Sequence, residues 1–259
     1  MKAKKSYGQH FLINENLAQN IAKQAIDLSE EFPVLEIGPG KGVLTKYLFE
    51  IPIQFKAVES DIDMIEYLHA NFPGIDSYLI FEDILKIDLN SVFEGKQLVL
   101  FGNFPYNISS QILFKMIENK DLVPYMVGMF QREVAERILA SPGNKDYGIL
   151  SIMTQAYYEG KILYRIKPGS FNPPPKVDSA VIKLKRKEKF TLDCDENLFK
   201  TIVKTTFNHR RKMMRNTLKS MVKDPAILKN DIFSKRPEQL TIEDFVKLTN
   251  TIDNYNINK

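Results

Sequence analysis

The chain has 259 residues, 44% hydrophobic and 26% charged, a balance that suits one large folded domain plus a small appendage and excludes a disordered or fibrous chain. Its 36 basic and 32 acidic residues leave a net charge of only +4, and its single cysteine, Cys194, excludes an internal disulfide framework and a Cys-rich metal site. No apolar run approaches the length of a membrane span, Met1–Lys5 lacks the apolar core of a signal peptide, and His10, His69 and His209 lack metal-ligand spacing, so a cytoplasmic protein without membrane or metal is expected.

Taken in chain order, Val34–Ile37 reads as a short buried strand and Gly42–Phe49 carries helical spacing. A strand at Phe55–Glu59 is followed by an amphipathic helix over Asp61–Asn71. Further strands are predicted at Tyr78–Phe81 and Leu98–Phe101, then a helix at Ser109–Ile117, a strand at Met126–Phe130 and a helix at Glu133–Ile138. Such alternation predicts an α/β fold with a mostly parallel sheet covered on both faces. Lys161–Lys167 and Ser179–Lys185 read as two strands joined by a Pro-rich turn, an antiparallel hairpin closing the sheet edge. Beyond about residue 188 the strand signal stops, and Leu198–Phe207, Arg210–Val222 and Ile242–Thr251 read as helices. The expected partition is therefore residues 1–187 as the α/β domain and 188–259 as a small helical domain.

Glu36-Ile37-Gly38-Pro39-Gly40-Lys41-Gly42 follows the first strand and opens a helix. Glycines there let the backbone approach a ligand closely, and a helix start offers free N–H groups. Glu59 ends the next strand about twenty residues on, where a carboxylate can accept ribose hydroxyls. Asp83 follows the third strand and can accept from an adenine amine. A nicotinamide site would share the first two features; the tighter alternation of Gly38, Gly40 and Gly42 favours S-adenosylmethionine.

Asn103-Phe104-Pro105-Tyr106 sits at the end of the fourth strand. An exocyclic adenine amine is a poor nucleophile because its lone pair is delocalised into the ring. Two acceptors holding its hydrogens favour a pyramidal nitrogen, and the Asn103 side-chain oxygen and the Phe104 carbonyl are the candidates. Tyr106 can stack on the extruded base, and Pro105 fixes the backbone between the two roles.

Five segments, taken together, resemble a known family: Lys5–Leu12, Glu36–Thr45, Gly102–Ser109, Gln131–Arg137 and Phe171–Ser179. They are similar to the bacterial small-subunit ribosomal RNA adenine dimethyltransferases, in order from about residue 5 to residue 217. The resemblance implies a Rossmann-like S-adenosylmethionine-dependent methyltransferase sheet with a C-terminal helical domain. It also implies transfer of methyl groups to the N6 amines of two adjacent adenines near the 3′ end of 16S rRNA, in a maturing subunit. By the same resemblance His10 and Leu12 line the cofactor pocket from the N-terminal arm, and Gly38, Glu59, Asp83 and Asn103 complete the cofactor contacts. Two positions depart from the family pattern: His10 stands where Asn is frequent, and Phe104 where Leu is common.

Phe171 precedes the rigid Pro173-Pro174-Pro175 run and is expected to be a second aromatic jaw on the adenine. Basic residues cluster in Lys4 and Lys5, and in Arg210, Arg211, Lys212 and Arg215, the second group spaced to present Arg211 and Arg215 on one helix face to RNA phosphates. Lacking a helix face long enough for a coiled coil, the chain is expected to be a monomer. Three other readings stand beside the main one: a 23S rRNA adenine methyltransferase of the macrolide-resistance type, a DNA adenine methyltransferase, and a non-catalytic assembly factor that keeps the fold.

Overall fold

The computed structural model describes residues 10–257, with side chains described to residue 254. Strand β1 (Phe11–Leu12) leads into helix α1 (Glu15–Ile26), then β2 (Val34–Ile37), α2 (Thr45–Phe49), β3 (Phe55–Glu59), α3 (Ile62–Asn71) and β4 (Leu79–Phe81). Next come α4 (Leu89–Val92), β5 (Val99–Asn103), α5 (Ser109–Glu118), β6 (Tyr125–Gln131), α6 (Arg132–Ile138), α7 (Ile149–Gln155), β7 (Tyr158–Ile166), β8 (Phe171–Asn172) and β9 (Ser179–Arg186). The remainder is helical: α8 (Glu196–Phe207), α9 (Met214–Thr217) and α10 (Ile242–Ile257), with short 3₁₀ turns between the last two.

Among the described residues, 10–135 and 159–186 form one unit. Its sheet runs β4-β3-β2-β5-β6-β9-β7. The β3–β4, β2–β3, β2–β5 and β5–β6 pairs are parallel, whereas β9 runs antiparallel to β6 from Gln131↔Ser179 to Tyr125↔Lys185. All four residues of β2 are buried, as are Val99–Gly102 of β5. A parallel strand covered on both faces has no solvent side, which is why these segments are mostly apolar in the sequence, with Glu36 the buried exception. Helix α1 supplies part of the cover: Asn14 caps it by accepting from Leu17 N–H at 3.1 Å, and Ala18, Ile21, Ala22 and Ala25 make its buried stripe. The carboxyl ends of β2, β3 and β5 open on one edge, the place where open parallel sheets bind ligands.

Residues 136–158 and 187–257 form the second unit. Phe199, Ile202 and Val203 of α8 and Phe245, Leu248 and Ile252 of α10 are buried, with the Phe199 and Phe245 rings edge to face at 6.4 Å. The division expected at residue 187 thus needs one change, because Glu136–Tyr158 groups with the C-terminal segment. The reason is a set of specific ties: Tyr147, 1% exposed, donates its hydroxyl to Leu240 O at 3.0 Å, and Gly143 N–H donates to Glu238 O at 2.8 Å.

Two predicted helices are shorter than expected. The helix after the glycine segment begins at Thr45 rather than Gly42. In place of a helix over Arg210–Val222 the chain makes turns to Met213 and a single helical turn at α9. Met214 N–H donates to Lys235 O at 2.9 Å, so it is not available to the Arg210 carbonyl that a continuous helix would require. Between β7 and β9 the Pro-rich connection is not a simple hairpin turn, since it contributes strand β8, which pairs with β1.

Candidate active site

The glycine segment leaves β2 with Gly38 N–H donating to Val58 O at 2.9 Å. Gly40 has φ +55, and a Cβ there would lie 3.0 Å from the Phe11 ring. Both the backbone conformation and the close approach call for glycine. Gly40 N–H donates to Glu59 Oε2 at 3.2 Å, while Glu59 Oε1 accepts from Ser60 N–H and Asp61 N–H, each at 2.9 Å. Glu59 is therefore locked at the tip of β3, yet a carboxylate with about four lone-pair sites keeps acceptor capacity for a hydroxyl. Burial raises its pKa, an effect the three N–H donors oppose.

Glu36 lies behind this loop, 1% exposed. Burial foremost, with the nearby Glu59 charge adding, pushes its pKa up to about 8, and its Oε2 has no hydrogen-bond partner. On the other side, Asp83 Oδ1 accepts from Leu85 N–H at 2.9 Å, which fixes the turn after β4. Lys115 of α5 donates to Leu85 O at 3.3 Å and Ile87 O at 2.6 Å and braces the same turn.

The tip of β5 reaches this loop because residue 102 is glycine. Gly102 has φ +147, and a Cβ on it would sit 2.6 Å from Ile37 O. Asn103 follows, and its Nδ2 donates to His10 O at 2.9 Å. With the amide nitrogen turned to the arm, the side-chain oxygen faces the opposite way. His10 is held in turn: its Nδ1 is 2.8 Å from Pro173 O and, facing a carbonyl, must be the donor. The arm itself is strand-paired, Phe11↔Asn172 and Leu12↔Phe171.

Phe104 is 1% exposed and packs edge to face with Phe130 at 5.3 Å. Its ring occupies the space over Gly128, where a Cβ would fall 2.2 Å from it. Ile108 N–H to Pro105 O at 3.1 Å and Ser109 Oγ to Tyr106 O at 3.2 Å close the turn into α5. Tyr106 is held at its hydroxyl by Ser179 Oγ, 2.5 Å away, and the His10 ring lies 5.6 Å from the Tyr106 ring at 30°. Burial, foremost, raises the Tyr106 pKa, so the phenol stays neutral.

These groups line one cavity of about 270 Å³. His10, Leu12, Gly38, Gly40, Glu59, Asp83, Asn103, Phe104, Pro105 and Tyr106, all singled out from the sequence, meet there. Phe171 does not. It is 2% exposed and belongs to the core with Leu12, Ile166 and Val181. Its ring is packed into that core rather than open to the cavity, so the expected aromatic jaw is not formed and Phe171 serves as a packing anchor beneath the arm. Sequence reasoning gave no site role to Lys41, whose Nζ lies 4.9 Å from the Phe11 ring centre, or to Ser179, which meets the Tyr106 hydroxyl; only the neighbouring motifs signalled them.

Of the residues expected to meet RNA, Lys4 and Lys5 lie outside the described residues. Arg211, Lys212 and Arg215 are exposed, although not in one helical register. Arg210 is committed elsewhere. Its guanidinium donates to the carbonyls of Lys145 and Asn144 and pairs with Glu238 at 3.3 Å, tying the second unit together.

A parallel sheet whose carboxyl edge carries such a glycine loop, acidic strand end and Asn–aromatic turn is the sheet of the S-adenosylmethionine-dependent methyltransferases. The family model described as ribosomal RNA adenine dimethylase matches residues 1–254. The chain is 50% identical to the ribosomal RNA small subunit methyltransferase A of Bacteroides thetaiotaomicron, over 98% of this chain and 95% of that one. It is 44% identical to the protein of the same name from Porphyromonas gingivalis, over 96% and 97% of the two chains. The crystal structure of a dimethyladenosine transferase from Plasmodium falciparum superposes with a TM-score of 0.79 at 28% identity, covering 95% of this chain and 98% of that one. The 23S rRNA methyltransferase ErmE shares the fold, with a TM-score of 0.67 at 24% identity over 94% and 99% of the two chains. The chain belongs to the ribosomal RNA adenine dimethylase family.

Proposed function

We propose that this chain transfers methyl groups from S-adenosylmethionine to the N6 amines of two adjacent adenines near the 3′ end of 16S rRNA, acting in the cytoplasm as a monomer on an immature small subunit. The observation that carries the proposal is the Asn103 amide, oriented by His10 O so that its oxygen is presented as an acceptor beside the glycine loop.

The residues fit the cofactor. A side chain at Gly40 would strike Phe11, so the cradle is kept clear by glycine, and Glu59 is preset at a strand tip to receive ribose hydroxyls. Asp83, with one oxygen holding its own turn, offers the other to an adenine amine. When bound, S-adenosylmethionine supplies an electrophilic methyl group on a sulfonium. The chain's own work is then to hold the target. Asn103 Oδ1 and the Phe104 carbonyl accept the two amine hydrogens, and Tyr106 offers a ring face to the base. Those acceptors localise the nitrogen lone pair without removing a proton beforehand; the proton leaves after nitrogen has become cationic, so neither a strong base nor a metal is required.

The names of the curated relatives favour the small subunit over the large one. The discriminating experiment offers the purified chain and labelled S-adenosylmethionine to each unmodified ribosomal subunit in turn. Label on the small subunit is expected, and label confined to the large subunit overturns the assignment. A non-catalytic assembly factor would label neither.

A further inference from the structure

The Asn103–Tyr106 turn has a partner on a distant strand of the sheet that its own motif does not reveal. Ser179 begins β9 opposite Gln131 of β6 and is 0% exposed. A hydroxyl so placed must find a partner inside the protein, and its partner is the Tyr106 hydroxyl at 2.5 Å. The backbone next to it is stapled as well. Asp178 O accepts from Arg132 N–H at 2.9 Å, and the Asp178 carboxylate pairs with Arg132 at 3.1 Å and Lys167 at 2.9 Å. Ser179 therefore has little freedom to move, by strand register on one side and by an ion-paired cluster on the other.

We infer that Ser179 is a positioning residue for the target base: it holds the Tyr106 ring, through the hydroxyl–hydroxyl hydrogen bond, in the plane the adenine stacks on. This rests on the proposal that Tyr106 receives the base. A tyrosine fixed only at Cβ samples several ring orientations, and freezing one of them falls on the capture step. With the hydroxyl end already held, that ordering has been done during folding. The ordering cost of one side chain corresponds to roughly three- to tenfold in the step it limits. Ser179 is not among the residues that line the cavity. Its influence passes through Tyr106 alone.

The test uses the full chain, unmethylated small subunits and saturating S-adenosylmethionine, with Ser179→Ala, Tyr106→Phe, their double variant and Tyr106→Ala. Ser179→Ala and Tyr106→Phe are each expected to lower kcat about three- to tenfold, with KM for the subunit and the calorimetric Kd for S-adenosylmethionine unchanged. The double variant should be no slower than the slower single, because both remove the same hydrogen bond. Additive losses, a wild-type kcat in Ser179→Ala, or a cofactor Kd weakened in step with kcat would each overturn the inference. Tyr106→Ala separates the two levels. If it is slow while Ser179→Ala and Tyr106→Phe run at the wild-type rate, only the positioning role fails; if it runs at the wild-type rate, the stacking proposal fails and takes this inference with it.

Discussion

Tyr106 and Glu36 show what single residues contribute at the sheet edge. Tyr106 presents a half-buried ring whose loss should cost base capture about 1–3 kcal/mol, the usual value of one base–aromatic stack. Single-turnover rates of Tyr106→Ala at limiting subunit check this, and unchanged rates would remove the stacking role. Glu36 poses a pH problem. Its pKa of about 8 in the folded chain stands against an ordinary 4.5, so the folded state holds a proton that the unfolded state releases between those values. The stability this provides is complete below about pH 4.5 and is lost as pH climbs through 8. Glu36→Gln cannot titrate, so its thermal midpoint, measured without cofactor, should decline less than wild type between about pH 5 and 8.5. Parallel declines would show that Glu36 is not the titrating group.

At the scale of elements, the N-terminal arm matters most. Strand β1 makes only a two-residue pairing with β8, so its position depends on what lies beneath it. Phe171 is that support, and Phe171→Ala should cost about 3–5 kcal/mol of stability by opening a cavity under Leu12. Because His10 and Leu12 line the cofactor cavity, the same variant should weaken S-adenosylmethionine binding at temperatures where it is still folded. Denaturant unfolding and calorimetry test both, and unaltered stability would reopen the aromatic-jaw role read from its Pro-rich neighbourhood. That misreading has a physical origin. The three prolines are visible locally, but the pairing of Leu12 with Phe171 joins segments far apart in sequence and leaves no local pattern. The β2, β3 and β5 strands were legible for the opposite reason: burial on both faces writes itself as a short, mostly apolar run, interrupted only by Glu36 in β2 and Lys56 in β3 before the polar strand ends. The helix expected over Arg210–Val222 failed because a tertiary bond, Met214 N–H to Lys235 O, overrides a helical spacing.

For the whole molecule, the ten cavity-lining residues named from sequence came together because each sits at a strand end or in the short arm, where the motifs place it. What stayed hidden was support: Ser179 under Tyr106, Gly128 making room for Phe104, Lys115 bracing the Asp83 turn. Such packing is set by three-dimensional neighbours, and no spacing in the chain encodes it. Substrate engagement is a property of the whole surface. Replacing exposed Arg211, Lys212 or Arg215 singly by Ala should weaken small-subunit binding and lower the slope of log affinity against log salt by about one for each phosphate that is no longer neutralised. Arg210→Ala should instead act on stability, since its guanidinium serves Asn144, Lys145 and Glu238. An unaltered salt slope in all three exposed variants would place the RNA on another face.

The most direct test of the central claim compares wild type with Asn103→Ala in single-turnover methyl transfer to unmethylated small subunits, with calorimetry of S-adenosylmethionine alongside. The predicted result is a rate lower by about a hundredfold or more in the variant, the size expected for losing a preorganised acceptor, with cofactor affinity kept within roughly tenfold and the wild-type label found on N6 of two adjacent adenines. A variant that transfers methyl groups at nearly the wild-type rate would contradict it.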